Sequence, residues 1–169
     1  MSTRDGNEEE GQAALQVLAN SPYIAKLGKA KEIRLLMLSC ALYAENFSSA
    51  AAVCRWFCSL DPLSPDGYRL FMGILPRYIT LNFSGNAGQA IFSTRLNQNF
   101  FRRQLKLVEE HYEKEGTHLE TYVQLLIICG QMNSSARFFY IAILHFLKAY
   151  KLTPNNPMIS LCIGIGTSL

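Results

Sequence analysis

Residues 123–154 read VQLLIICGQMNSSARFFYIAILHFLKAYKLTP, and this stretch decides the fold of the chain. Two apolar segments flank a short polar one, and Pro154 closes the second apolar segment. Their periodicity predicts helices over 118–130 and 134–152. Because only a few residues join these helices, they must lie antiparallel and pack against each other.

The spacing within this pair matches the tetratricopeptide repeat, a helix–turn–helix unit of about 34 residues. Small residues are expected where the two helices cross most closely, and aromatic residues fill the gaps between neighbouring units. Proline ends the second helix. With the first position of the repeat at Val123, the matching residues are Leu126, Cys129, Gly130, Ala142, Phe146, Ala149 and Pro154.

The same register recurs along the chain, which predicts an all-α fold, a tetratricopeptide-repeat solenoid. We expect one repeat over 31–64, a second over 65–122 with an insertion near 82–98, a third over 123–156, and the first helix of an incomplete repeat over 157–169. The residues expected to pack these repeats are Phe47, Ala50, Phe57, Pro62, Tyr68, Phe71, Leu126, Gly130, Ala142, Phe146, Ala149, Pro154 and Gly164.

Four segments depart from regular repeats. Residues 1–8 are expected to form a disordered acidic tail, and residues 9–30 a helical lead-in. The helix that opens at Pro65 is expected to break or bend near Pro76. Residues 82–98 are expected to form a polar loop, and loops of this length are either functional or disordered.

Composition excludes a disordered chain, since 49% of the 169 residues are hydrophobic and only 17% are charged. Soluble domains usually carry about 25% charged residues, so the chain has an apolar surplus. The net charge of +3 is too small for a dense nucleic-acid-binding stripe. No apolar run is long enough to cross a membrane, and the acidic start is unlike a signal peptide, which favours an intracellular protein.

No group of residues predicts catalysis, a metal site or a cofactor. The three histidines, at 111, 118 and 145, lack HExxH spacing, and His145 is expected in the core. Cys54 and Cys58 share a helix face but lack two further zinc ligands, so all five cysteines are interpreted as reduced core thiols. Gly164 and Gly166 lack the third glycine of a phosphate-binding loop.

A short basic segment is the candidate partner-binding site, formed by Phe100, Arg102, Arg103 and Lys106. Aromatic rings beside arginines can stack on bases and neutralise phosphates. In a helix, however, at least one phenylalanine and Leu105 must face the core, which leaves the cations on a solvated face. The alternatives are a functional patch or a solvated face, and an acidic protein partner is favoured over DNA.

With the repeat register fixed, residues 130–165 resemble, without gaps, part of the tetratricopeptide subunit of transcription factor IIIC. Residues 43–57, YAENFSSAAAVCRWF, are similar to an upstream repeat of that subunit, and together the two segments cover about half of the chain. The matching positions in the longer segment are Gly130, Phe139, Ala142, Ala149, Tyr150, Pro154, Pro157, Ser160, Cys162, Ile163 and Gly164.

The resemblance implies a nuclear, non-enzymatic scaffold that helps assemble transcription factor IIIB and RNA polymerase III on tRNA-type genes. Its implied partners are other transcription factor IIIC subunits and transcription factor IIIB components. Direct contact with DNA is compatible with this role but is not expected. The alternative is a generic repeat adaptor that binds short peptides. Such adaptors clamp a terminal carboxylate with Lys and Asn, where this chain has Leu35 and Ser39.

Overall fold

The computed structural model describes Ala13 and residues 30–82 and 87–167. Within these residues the chain forms α-helices and no strand, which confirms the all-α prediction. The expected tail over 1–8 and most of the lead-in over 9–30 lie outside the described residues. The helices are α1 (Ala30–Tyr43), α2 (Phe47–Leu60), α3 (Asp66–Asn82), α4 (Ala87–Glu115), α5 (Leu119–Ser135), α6 (Phe139–Leu152) and α7 (Pro157–Thr167).

The chain divides into two compact units, Met1–Leu60 and Asp61–Leu169. The first unit contains α1 and α2, which pack against each other. Asn46 accepts a hydrogen bond from the Ser49 N–H at 3.1 Å and so caps the start of α2. The core of the first unit is built mainly from small side chains that allow close helix packing. These are Ala41, Ala50, Ala51, Val53, Cys54 and Cys58.

The second unit begins with α3, which continues past Pro76 to Asn82, so the expected break is absent. Phe71 and Leu75 are fully buried on the turn before the proline, and this packing outweighs the local cost of a proline in a helix. The Tyr68 hydroxyl donates to the Pro62 carbonyl oxygen at 2.8 Å, which fixes the turn that leads into α3.

The prediction of a loop over 82–98 is wrong from Ala87 onward, because residues 87–98 form the first turns of α4. The Asn, Ser and Gly residues of this segment suggested a loop. The same segment also contains Ala, Gln, Arg and Leu, which favour a helix. Residues 83–86 lie outside the described residues. Helix α4 ends at Glu115, and Gly116 follows it with a φ of 67°, the left-handed conformation that glycine adopts readily.

Helix α5 is buried along most of its length and packs against α3, α4, α6 and α7. It runs five residues beyond its expected end at Gly130, and α6 begins at Phe139 rather than Ser134. Gly130 does not end the helix, because its role is to permit close packing. A Cβ at this position would lie 2.8 Å from Cδ1 of Phe146 on α6 and closer still to Cε1.

Helix α7 packs on α6 and, less extensively, on α5. Ile159 and Cys162 are buried, whereas Met158 and Leu161 are exposed. The Asn156 side chain accepts from the Met158 N–H at 3.0 Å and caps the helix. Among the described residues, no helix is both long and apolar enough to cross a membrane.

Gly130→Ala is predicted to lower the free energy of unfolding by about 1–3 kcal/mol, because the added methyl group overpacks the crossing with Phe146. The matched control is Gly73→Ala in α3, since no atom lies within 4 Å of the Cβ position there. That change should stabilise the helix by about 0.5–1 kcal/mol. Urea unfolding followed by far-ultraviolet circular dichroism measures the free energy of unfolding of both variants. Equal effects of the two substitutions would contradict the close crossing of α5 and α6 at Gly130.

Buried thiols are predicted to resist alkylation in the folded chain. Burial raises the pKa of Cys54 and of Cys129 to about 12, so the reactive thiolate is scarce at pH 8. Cys40 is only half-buried. Iodoacetamide at pH 8, read by peptide mass spectrometry, should label Cys40 at least about tenfold faster than Cys129. Similar rates would contradict this burial, and unfolding in urea should equalise the rates.

Candidate protein-binding site

The four residues predicted to bind a partner lie together on α4. Arg102, Arg103 and Lys106 are exposed and Phe100 is half-buried. Their cationic groups therefore reach solvent, as expected for a helix with one buried face. Binding of a partner by this patch stays a prediction.

The other side of the same segment anchors α4 in the core. Phe101 is fully buried and Leu105 is 7% exposed. The Phe101 ring lies 4.3 Å from the Phe71 ring and 6.3 Å from the Tyr68 ring, measured between centroids. This confirms that one phenylalanine and Leu105 face inward, and it fixes the rotation of α4 that exposes the cations.

The first acidic residue that follows these cations is paired elsewhere. The Lys148 ammonium of α6 donates to Glu109 Oε1 at 2.6 Å and lies 5.7 Å from the centroid of the Tyr122 ring. The hydrogen bond to Glu109, followed by the one to Tyr122, raises the pKa of Lys148. Because Glu109 is held by Lys148, it reduces the positive field around Arg102 less than an unpaired carboxylate would.

A cavity of about 280 Å³ lies beside Arg102, between α4, α5 and the start of α6. Gln98, Asn99 and Arg102 form its α4 wall. The Arg102 guanidinium donates from Nη2 to Asn99 Oδ1 at 3.1 Å, which orients it along the helix. The Gln98 Nε2 atom is buried and makes no hydrogen bond within the described part of the chain.

Helix α5 supplies the inner wall through Cys129, Met132 and Asn133. Cys129 and Met132 are 6% and 2% exposed. The Asn133 side chain donates from Nδ2 to the Cys129 carbonyl oxygen at 2.7 Å, which fixes its orientation. The raised pKa of Cys129 makes the thiol a poor nucleophile, so this wall offers packing rather than chemistry.

The outer wall comes from Phe138, Ile141 and His145 at the start of α6. Phe138 is 56% exposed and Ile141 is 43% exposed, so apolar surface borders the cavity. His145 Nδ1 lies 2.8 Å from the Ile141 carbonyl oxygen, which only accepts, so Nδ1 carries the proton. The His145 side chain is half-buried and lines this cavity, whereas a position in the core was expected.

The sequence around the cavity contains cations but no acids. Residues 87–108 hold Arg95, Arg102, Arg103 and Lys106 without an Asp or Glu, and none follows Glu120 in the chain. Opposite charges at an interface favour association, so this surface suits an acidic partner.

The α4 cations are predictable from the sequence, but the walls from α5 and α6 are not. Met132 and Ile141 stand 30 and 39 residues from Arg102, and only the packing of three helices brings them to one cavity. The signal that could have pointed to them is the acid-free stretch after Glu120, combined with the polar Asn133 near the end of α5.

The described residues contain no group of three or more His, Cys, Asp or Glu side chains that could hold a metal ion. Cys54 and Cys58 are both fully buried in the core of the first unit. Gly164 lies inside α7 rather than in a phosphate-binding loop.

Most residues expected to pack the repeats are buried. Four depart from this: Phe57 and Pro62 are half-buried, and Pro154, in the turn after α6, and Gly164 are exposed. At Gly164 no atom lies within 4 Å of the Cβ position. The buried members are Phe47, Ala50, Tyr68, Phe71, Leu126, Gly130, Ala142, Phe146 and Ala149.

Comparison with known proteins shows that the chain is similar to part of a transcription factor subunit. The transcription factor tau subunit sfc4 of Schizosaccharomyces pombe is 24% identical over 153 residues. The match covers 81% of this chain and 14% of the relative, so the chain spans a small part of that protein's length. No protein-family model matches the chain, and no solved structure matches it. Over most of its length the chain is thus similar to a transcription-factor subunit.

Proposed function

We propose that this chain is a non-enzymatic protein-interaction scaffold related to the transcription factor IIIC subunit. In this role it helps assemble transcription factor IIIB and RNA polymerase III on tRNA-type genes, and it acts in the nucleus. Its partners are other transcription factor IIIC subunits and transcription factor IIIB components. The observation that carries the proposal is the similarity to a transcription factor tau subunit over 81% of the chain.

The packing of α5 on α6 supports a tetratricopeptide arrangement. Gly130, Ala142 and Ala149 are buried, and Phe146 lies against Gly130 where such repeats place a small residue. We propose repeats over 31–64, 65–122 with an insertion, and 123–156, and the first helix of another over 157–169. Repeats of this kind stack into extended surfaces that hold other chains, which suits a scaffold.

The alternative is a generic repeat adaptor that captures a short peptide by its terminal carboxylate. Such a clamp needs cationic and amide side chains on the first helix of a repeat. In α1 the corresponding residues are Leu35, which is 45% exposed, and Ser39, whose hydroxyl donates to the Leu35 carbonyl oxygen at 3.0 Å. Neither side chain carries a positive charge that could bind a carboxylate, so the scaffold function is favoured over the adaptor function.

Affinity capture from nuclear extract tests the choice between these functions. The immobilised 169-residue chain should enrich transcription factor IIIC and transcription factor IIIB subunits over a resin that carries an unrelated helical protein. Quantitative mass spectrometry of the eluates gives the measurement. Recovery of chaperones alone would favour the adaptor and remove the scaffold.

Reversing the charge of the basic face is predicted to weaken this capture. In the double variant Arg102→Glu with Arg103→Glu, two exposed cations become acids that repel an acidic partner. We expect at least about tenfold less recovery, since like charges at an interface cost several kcal/mol. Far-ultraviolet circular dichroism should be unchanged because both side chains are exposed. Undiminished capture would show that the face does not bind the partner.

A further inference from the structure

The cavity between α4, α5 and α6 combines one cation with an apolar lining, which a purely electrostatic patch lacks. Among the described residues that line it, Arg102 carries the positive charge, while Met132, Phe138 and Ile141 supply apolar surface. Its volume of about 280 Å³ is just below the range of about 300–1,000 Å³ of small-molecule pockets. That size suits one or two side chains of a bound peptide.

The Arg102 guanidinium supplies the charged hydrogen-bond donor of the cavity. Arg102 uses one nitrogen on Asn99, and a guanidinium has five N–H groups in total. Gln98 Nε2 is buried and makes no hydrogen bond to any described residue, so the Arg102 guanidinium is the donor that a ligand can reach. A carboxylate can accept two parallel hydrogen bonds from a guanidinium, so it suits the remaining N–H groups of Arg102.

The surrounding charge favours the same ligand. The nearest acid on α4 that follows Arg102 is Glu109, and it is bonded to Lys148. No acidic residue occurs between Ala87 and Val108 or after Glu120. The exposed acids Glu110 and Glu113 lie farther along α4, and Glu110 is about 12 Å from Arg102 along the helix axis. A segment that carries several carboxylates would therefore meet cations at the cavity and repulsion only toward the end of α4.

We propose that this cavity binds an acidic segment of a partner protein. One carboxylate pairs with Arg102, and a neighbouring large apolar side chain fills the cavity between Met132 and the exposed edge formed by Phe138 and Ile141. The proposal rests on the proposed scaffold function and gives it a specific binding site. DNA fits less well, because only one lining cation faces the cavity, whereas phosphate backbones are bound by several.

Short fluorescein-labelled peptides test the proposal by fluorescence anisotropy with the 169-residue chain. The first peptide carries Asp and Glu around a central Leu. The second replaces the Leu by Ser, and the third replaces the acids by Gln and Asn. The first should bind at least about tenfold more tightly than either of the others, since it alone makes both the charged hydrogen bond and the apolar contact. Equal affinities of the first and second peptides would contradict the proposal that the cavity binds an apolar side chain.

Two arginines on the same helix provide the matched variants. Arg102→Ala should weaken binding of the first peptide by about tenfold, since it removes a charge-assisted hydrogen bond. Arg103→Ala removes the same charge one residue away, but Arg103 does not line the cavity, so the loss should stay below about twofold. Equal losses would show a diffuse charged patch instead of a built site.

The apolar wall has its own variant. Ile141→Ser removes an exposed apolar side chain at the mouth of the cavity and is expected to preserve the fold. This substitution should weaken binding of the Leu peptide about fivefold and leave binding of the Ser peptide unchanged. Equal weakening of both peptides would contradict the apolar contact.

A labelled DNA duplex identifies the other class of partner. If the duplex binds more tightly than the first peptide and displaces it, the cavity is not an acidic-peptide site and the proposal fails. If no peptide binds while nuclear capture still recovers transcription factor IIIC subunits, the cavity proposal fails and the scaffold function stands.

Discussion

The close crossing of α5 and α6 is the constraint on which the second unit depends. Gly130 lets the Phe146 ring approach the backbone of α5 nearer than any side chain at that position would allow. Ala142 and Ala149, one turn to either side of Phe146, are buried in the same interface. Because α5 also packs against α3, α4 and α7, the position of α6 relative to α5 sets its position relative to the rest of the unit.

The candidate site follows from this packing. Its inner wall belongs to α5, its outer wall to the start of α6, and its cation to α4. Phe101 and Leu105 hold α4 in the core, so Arg102 is directed away from it and toward the cavity. The rigid helices thus hold a guanidinium beside apolar side chains, which is an arrangement that recognises mixed acidic and apolar ligands.

Much of the fold was predictable from local signals. The small residues and aromatics of 123–154 predicted the α5–α6 pair, and Gly116 is typical of the helix end that it follows. The helix over 87–98 was missed because Asn, Ser and Gly weigh toward a loop. A single-sequence pattern does not show that Asn97 is fully buried. Gly130 is typical of a helix end, but packing against Phe146 accounts for its place inside α5.

The site was predictable only in part. The α4 cations are adjacent in the sequence, so their exposed face followed from helical periodicity. The cavity brings α4 residues together with residues that stand 27 to 47 positions further along the chain, and the register of three packed helices decides these contacts. Local patterns contain the composition of each wall but not the distances between the walls.

A double-mutant cycle between Gly130 and Phe146 tests the central constraint most directly. The free energy of unfolding would be measured for the original chain, for Gly130→Ala, for Phe146→Leu, and for the double variant. The leucine side chain lacks the ring atoms that a Cβ at position 130 would meet, so the cost of Gly130→Ala should fall by about 1 kcal/mol or more in the Phe146→Leu background. Costs that add within about 0.5 kcal/mol would contradict the crossing.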